Sequence, residues 1–360
     1  MRILGEADFG YGNARLRARR SNLLRDPDYE RLLGEDVAGL LGTLEQTRYA
    51  PDLEEAGRTG TLARLHETIS RHLSRTLQEM RSFYADRARS LVDMMLSRFD
   101  VDNVVTVLRA QSGDRHEGAD ALVRVGWMTG PLAHEILRQD GLAASVDLLA
   151  RSTRDRDQGA ALRAAFAEYE RTEDLAALER AVFADHATRL STSLAAAGPA
   201  ARTLLHFTRR EIDERNLLIA LRLRDALASG AEADTPPAAT RLPGGSVPLA
   251  AFRDALNAPT SNAIVAHLGR AGHARWQTPL ERWAASEDLS ALERELERRR
   301  IADEVALFVT GDPLAIDVPI AFMAAKRTEA RNLRLLGEAA ARDIDPETIQ
   351  RELLWTKAHA

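Results

Sequence analysis

One short element recurs three times in the 360-residue chain and carries the residues best suited to chemistry. Asp100 stands three positions before Asn103, Asp213 three before Asn216, and Glu329 three before Asn332. On a helix that spacing puts the acid and the amide on one face, where each pair could bind a cation or polarise a substrate. One active site does not need three dispersed copies, so the expected chemistry is hydrogen bonding. Each Asn is expected to satisfy backbone groups of a neighbouring helix, with Arg109 or Arg222 in the same network.

Other reactive arrangements are missing from the sequence. No Gly is followed by Lys and Ser or Thr at the spacing of a phosphate-binding loop. Gly10-Tyr11-Gly12-Asn13-Ala14-Arg15 has two glycines of a dinucleotide fingerprint, but Arg15 replaces the third and no βαβ pattern surrounds it. The nine His form neither His-Glu-x-x-His nor Glu-x-x-His, and His66 and His72, six apart, do not share a helical ligand face. With no Cys there are no disulfides, thiolate zinc sites or thiol nucleophiles. No catalytic residue, cofactor or metal site is assigned, and the chain is read as a non-enzyme.

The elements that position these residues are helical and repeated. A second marker, Glu173-Asp174-Leu175-Ala176-Ala177-Leu178-Glu179-Arg180, returns 114 positions later as Glu287-Asp288-Leu289-Ser290-Ala291-Leu292-Glu293-Arg294. Thr61-Leu62-Ala63-Arg64-Leu65-His66-Glu67 is a weaker first copy. From the first Leu of each marker to the following Asn the offsets are 41, 41 and 43 residues. Two independent markers in one register give a unit of about 115 residues, far longer than two-helix solenoid repeats. A fainter signal, a turn followed by a helix start, follows each Asn helix at Gly130-Pro131, Gly245-Ser246 and Asp345-Pro346. Leu62, Leu65, Ile69, Leu73, Leu77, Met80 and Tyr84 recur at steps of three and four and predict one long amphipathic helix. Residues 104–108, 217–221 and 333–336 are likewise read as helix. Three domains are expected, at residues 1–116, 117–234 and 235–360, with linkers over 111–118 and 228–240.

Composition supports an all-α class: 45% hydrophobic, 29% charged and only 5% aromatic. Positive charge is almost all Arg, with Lys only at 326 and 357. A net charge of −5 gives no general field for nucleic acid. The basic run from Asn13 to Leu24 has little aromatic interleaving and is read from its residues alone as a solvated helix face. Charges interrupt any leader-like stretch at the start, and no apolar run reaches the roughly 20 residues needed to span a bilayer.

Taken together, the motifs resemble those of the C subunit of bacterial and archaeal V/A-type ATPases, whose eukaryotic relative is the d subunit. Tyr11-Gly12-Asn13-Ala14-Arg15-Leu16-Arg17, with Ser21 and Leu23-Leu24, is similar to the family's N-terminal signature. Asp100-Val101-Asp102-Asn103 with Arg109, and Glu329-Ala330-Arg331-Asn332-Leu333-Arg334, are similar to its internal ones, and the likeness covers the whole chain in order. One departure is Gly337-Glu338, where the third copy in the family often ends in Gly-Lys. The resemblance implies three similar helical domains in a funnel about a pseudo-threefold axis. It implies a non-catalytic rotor adaptor whose partners are the central shaft subunits and the membrane ring of proteolipid subunits, with no nucleic acid and no bilayer span of its own. The expected location is cytoplasmic, peripheral to the membrane through the complex. Tyr11, Asn13, Arg15, Arg17, Arg19 and Arg20 are the candidate interface. The alternative is a helical scaffold of another multiprotein complex.

Overall fold

The computed structural model describes residues 7–57, 61–113, 122–153, 155–228, 240–270 and 274–355. They form α-helices joined by short turns and 3₁₀ segments, with no strand among the described residues. Four short helices open the chain: α1 is Gly10–Arg19, α2 Asp26–Leu32, α3 Val37–Leu44 and α4 Ala50–Glu55. Two long helices come next, α5 at Thr61–Ser82 and α6 at Asp86–Ser112. Then come α7 (Gly130–Leu137), α8 (Leu142–Ser152), α9 (Arg156–Thr172), α10 (Leu175–Ala196) and the long α11 (Arg202–Ala228). The remainder repeats that succession as α12 (Leu249–Leu256), α13 (Ser261–Arg270), α14 (Gln277–Ser286), α15 (Leu289–Thr310) and α16 (Asp317–Ala341), closed by α17 (Pro346–Glu352).

The predicted stripe on α5 is the one it buries: Leu65, Ile69, Leu73, Leu77 and Met80 are all inside. Residues 104–108, 217–221 and 333–336 all lie in helices. The expected linkers fall mostly on residues 114–121 and 229–239, outside the described residues; Gln111 and Ser112 instead complete α6.

The second marker is a helix stop joined to a helix start. Glu173 and Glu287 both take left-handed backbone at φ 55°, and their N–H groups cap α9 and α14 on Tyr169 O and Trp283 O. The next residue then opens a new helix, because Asp174 Oδ1 accepts from Ala177 N and Asp288 Oδ1 from Ala291 N, each at 2.9 Å. The pair Glu-Asp therefore recurs because both copies need the same reversal between helices.

The chain divides into two compact units, Met1–Val182 with Ile301–Ala360, and Phe183–Arg300. Within the first, Val104, Val107 and Leu108 of α6 form a core with α7, α8, α9 and Leu178 of α10. The same unit packs α5 against α16 and against α3 and α4. Within the second, Leu217, Leu218 and Leu221 of α11 form a core with α12, α13, Trp276, Trp283, and Leu292 and Leu296 of α15. Each core thus joins the half of an Asn helix that follows its Asn to the start of the next marker helix.

Candidate functional site

The three Asn residues do one job, in one geometry. Asn103 Nδ2 donates to Val123 O at 2.9 Å while its Oδ1 accepts from Val123 N at 3.0 Å. Asn216 holds Leu242 the same way, at 2.9 and 2.7 Å, and Asn332 holds Leu354 at 2.9 and 3.0 Å. All three amides are buried. The expectation of a neighbouring helix needs correction, since each partner is a non-helical residue. Helix interiors have already spent both backbone groups on i→i−4 bonds, so only a non-helical residue can offer N–H and C=O together.

The acids of the first two copies close the turn that follows. Asp100 accepts from Trp127 N and Met128 N, each at 3.3 Å. Asp213 accepts from Val247 N at 2.9 Å and from the Ser246 hydroxyl. In both copies the turn residue three after the clamped one is glycine, Gly126 or Gly245, and a Cβ at either would overlap the carboxylate. The helix starts themselves lie at Gly130, Leu249 and Pro346, so Gly245 belongs to the turn and not to the helix.

Glu329, the third acid, is turned elsewhere. It accepts from Leu24 N at 2.8 Å and from the Tyr49 hydroxyl at 2.6 Å, and it pairs with buried Lys326. Lys326 Nζ also reaches His72 Nε2 at 2.9 Å, and His72 Nδ1 lies 2.8 Å from Asp52 Oδ2. An ammonium donating to Nε2 leaves the imidazole proton on Nδ1, which donates to Asp52. Burial, together with the Lys326 charge, holds His72 below its ordinary pKa, in keeping with a neutral ring. Burial alone would raise the Asp52 carboxyl. Hydrogen bonds from Arg75 and His72 outweigh it and bring the value down to about 2. Burial, reinforced by Glu329, keeps Tyr49 protonated as the donor, and its ring stacks on His72 at 3.7 Å. Every polar group in this network has a partner inside it, which marks it as a fixed joint between α4, α5, α16 and the chain near Leu24.

Arg109 and Arg222, six beyond the first two Asn residues, are not in the Asn networks, which is a second correction. Six residues on a helix turn through roughly 240° beyond a full turn, away from the Asn face. Arg109 Nε and Nη2 instead reach both oxygens of Glu179 at 2.6 and 2.7 Å, and Arg222 reaches Glu293 at 2.6 Å. Glu179 and Glu293 are equivalent positions of the second marker, so each Asn helix is tied to the marker helix of the next copy. Both glutamates lie in the recurring marker, but spacing alone does not assign them this part. The equivalent pair of the third and first copies is Glu338 and His66, 3.5 Å apart. There the signs are exchanged: an acid replaces the Arg and a basic residue replaces the Glu.

The N-terminal residues divide sharply. Asn13, only 1% exposed, donates to Pro313 O and Ala315 O at 2.9 and 2.8 Å and accepts from Tyr84. Its side chain faces inward, beneath Gly12, where a Cβ would overlap the Tyr84 ring. Tyr11 is 67% exposed, and Arg15, Arg17 and Arg20 are exposed as well. Arg15 lies over Phe83 at 4.2 Å and donates to the Tyr11 hydroxyl, Arg19 pairs with Glu79, and Arg20 covers Phe308 at 4.9 Å. Exposed Val309 and Leu314 belong to the same unit. Among the described residues no His, Asp and Glu converge as metal ligands, and no helix is long and apolar enough to cross a membrane.

Against known proteins, the profile of the ATP synthase (C/AC39) subunit family matches residues 12–352. The chain belongs to that family. It is similar to the C subunit of the A-type ATP synthase of Halorubrum lacusprofundi, 28% identical over 99% of this chain and 100% of the relative. Similarity to the same-named protein of Haloferax volcanii is 27% identity over 98% and 99% of the two chains. The C subunit of the V-type ATP synthase of Thermus thermophilus is 28% identical over 96% and 98%. In this C/AC39 family member, then, the repeated residues serve its architecture: the Asn clamps, the acid-closed turns and the marker reversals are all satisfied internally.

Proposed function

We propose that this chain is the non-catalytic adaptor of a V/A-type rotary ATPase, joining the rotating central shaft to the membrane ring of proteolipid subunits. In this reading three equivalent helical modules follow one another about a pseudo-threefold axis, and the shaft enters the funnel they enclose. The observation that carries it is the head-to-tail pairing of copies, Arg109 with Glu179, Arg222 with Glu293, and Glu338 with His66. A succession in which the third copy's Asn helix meets the first copy's marker helix is what a closed set of three requires. An adaptor that transmits torque needs stiffness, and internally satisfied joints supply it. The chain would sit on the cytoplasmic side, held at the membrane by the ring and by no segment of its own, with Tyr11 and the exposed arginines of α1 at a partner interface.

The test is reconstitution. Tagged full-length chain is mixed with purified central-shaft subunits and, separately, with the detergent-solubilised ring. The expected result is a stoichiometric complex with each, weakened for one of them by Tyr11→Ala with Arg15→Ala. Binding to neither would overturn the assignment and leave a scaffold of another complex.

A further inference from the structure

The second unit carries a cleft of about 430 Å³ that none of the joints between helices explains. Arg202, His206, Arg209 and Arg210 of α11 line it, with Ser246 from the Asp213-closed turn and Arg275 from the segment before α14. Arg202, His206 and Arg209 follow at steps of four and three, and Arg210 stands four beyond His206, so the four share one side of the helix, extending about 12 Å along its axis. No carboxylate lines the cleft.

Several helical arginines of this chain pair with an acid four residues away, as Arg189 does with Asp185, Arg215 with Glu211 and Arg299 with Glu295. Arg209 also stands four residues before an acid, but Asp213 is spent on the following turn, where it accepts from Val247 N and the Ser246 hydroxyl. Arg202 and Arg209 are exposed and have no ion pair among the described residues. Like charges on successive turns repel, so the row is unfavourable until an anion joins it. Arg210, in contrast, is buried and fixed at 2.9 Å by Glu214, a carboxylate that also holds Arg300 at 3.0 Å. The floor of the cleft is therefore rigid while its rim can close on a ligand.

We propose that this cleft binds a compact polyanion with two or more phosphoryl groups, either free in solution or borne by a lipid headgroup. Guanidinium forks match phosphoryl oxygens two at a time, and several of them converge here. The volume lies within the roughly 300–1,000 Å³ of small-molecule sites, and a concave, acid-free wall suits a small ligand better than a flat protein face. The proposal is independent of the shaft and ring contacts.

Isothermal titration of the full-length chain with sodium pyrophosphate tests it, alongside sodium phosphate and co-sedimentation with phosphatidylcholine vesicles containing a phosphatidylinositol bisphosphate. Pyrophosphate is expected to bind more tightly than phosphate and to weaken as salt is raised. Arg202→Glu with Arg209→Glu should weaken it at least about tenfold, and Arg202→Gln with Arg209→Gln less. Arg138→Glu with Arg156→Glu, two exposed positions in the other unit, makes the same change in net charge and should leave binding intact. Circular dichroism confirms that each variant is folded. Pyrophosphate binding assigns the free anion; vesicle retention that the α11 variants abolish, without pyrophosphate binding, assigns the headgroup. Three results would overturn the proposal: no binding in any arm, equal loss in the control variant, or tighter and equally variant-sensitive binding of a poly-glutamate peptide.

Discussion

The Asn clamps make the sharpest prediction, because three sites share one geometry and must fail alike. Changing Asn103, Asn216 or Asn332 to Ala removes two hydrogen bonds of 2.7–3.0 Å and leaves a buried N–H and C=O at Val123, Leu242 or Leu354 without partners. With about 1 kcal/mol lost per bond and a further desolvation cost for whichever group water cannot reach, each substitution should cost about 2–4 kcal/mol. A chain of two units need not unfold in one step, so the readout is local. Hydrogen exchange resolved to the clamped residue should accelerate roughly 30- to 700-fold at Val123 in Asn103→Ala, at Leu242 in Asn216→Ala and at Leu354 in Asn332→Ala. Asn→Asp at any of the three should be at least as damaging, since a carboxylate can accept from the N–H but opposes the carbonyl. If one site exchanges as in the wild type, or if the acceleration appears away from the clamped residue, the equivalence of the three copies is wrong.

Three further outcomes follow from the joints between helices. Lys326→Met should destabilise the first unit by about 3–5 kcal/mol, because Glu329 is left charged and buried; adding Glu329→Gln, which still accepts from Tyr49 and Leu24, should recover part of that loss in urea denaturation. The Asp52 carboxyl titrates lower when folded than its ordinary 3.8, so its contribution of about 2 kcal/mol is complete above that value and disappears as pH falls toward 2. The stability gap between wild type and Asp52→Asn should therefore close across that window, and a gap that is constant with pH would refute the assignment. For the inverted pair, Glu338→Arg with His66→Glu restores the orientation of the other two; a double-mutant cycle should return a coupling of about 0.5 kcal/mol, as half-exposed ion pairs do.

How much of this was legible depends on whether a contact leaves a trace in residue type. The helices and their repeat were legible, since apolar spacing and the Glu-Asp reversal are written in side chains and both copies keep them. The partners of the Asn residues were not, because backbone N–H and C=O carry no sequence code. Val123, Leu242 and Leu354 lie 20, 26 and 22 residues downstream, so spacing does not betray them either. The ion pairs were half legible: Arg109, Glu179, Arg222 and Glu293 all sit inside recurring motifs, yet pairing a residue of one copy with the next requires knowing that copies meet head to tail. Glu338 is visible in the sequence only as a charge reversal, and its reason is His66, which lies opposite it.

The lysine at 326 shows why one copy breaks the pattern. Sequence bias makes nearly every cation here Arg, so a Lys at the most enclosed cationic position of the first unit calls for a physical cause. Its ammonium must meet His72 Nε2 and Glu329 Oε1 in a space bounded by the Tyr49 ring, which lies 5.2 Å away. A compact charge with three rotatable donors can serve two acceptors there, whereas a guanidinium is a wide planar fork suited to one carboxylate edge. The third acid can leave its own turn because this ammonium receives it, and by leaving it gains Leu24 and Tyr49, 305 and 280 residues away along the chain. The irregular copy is thus the one that fastens the chain's early helices to its last long one.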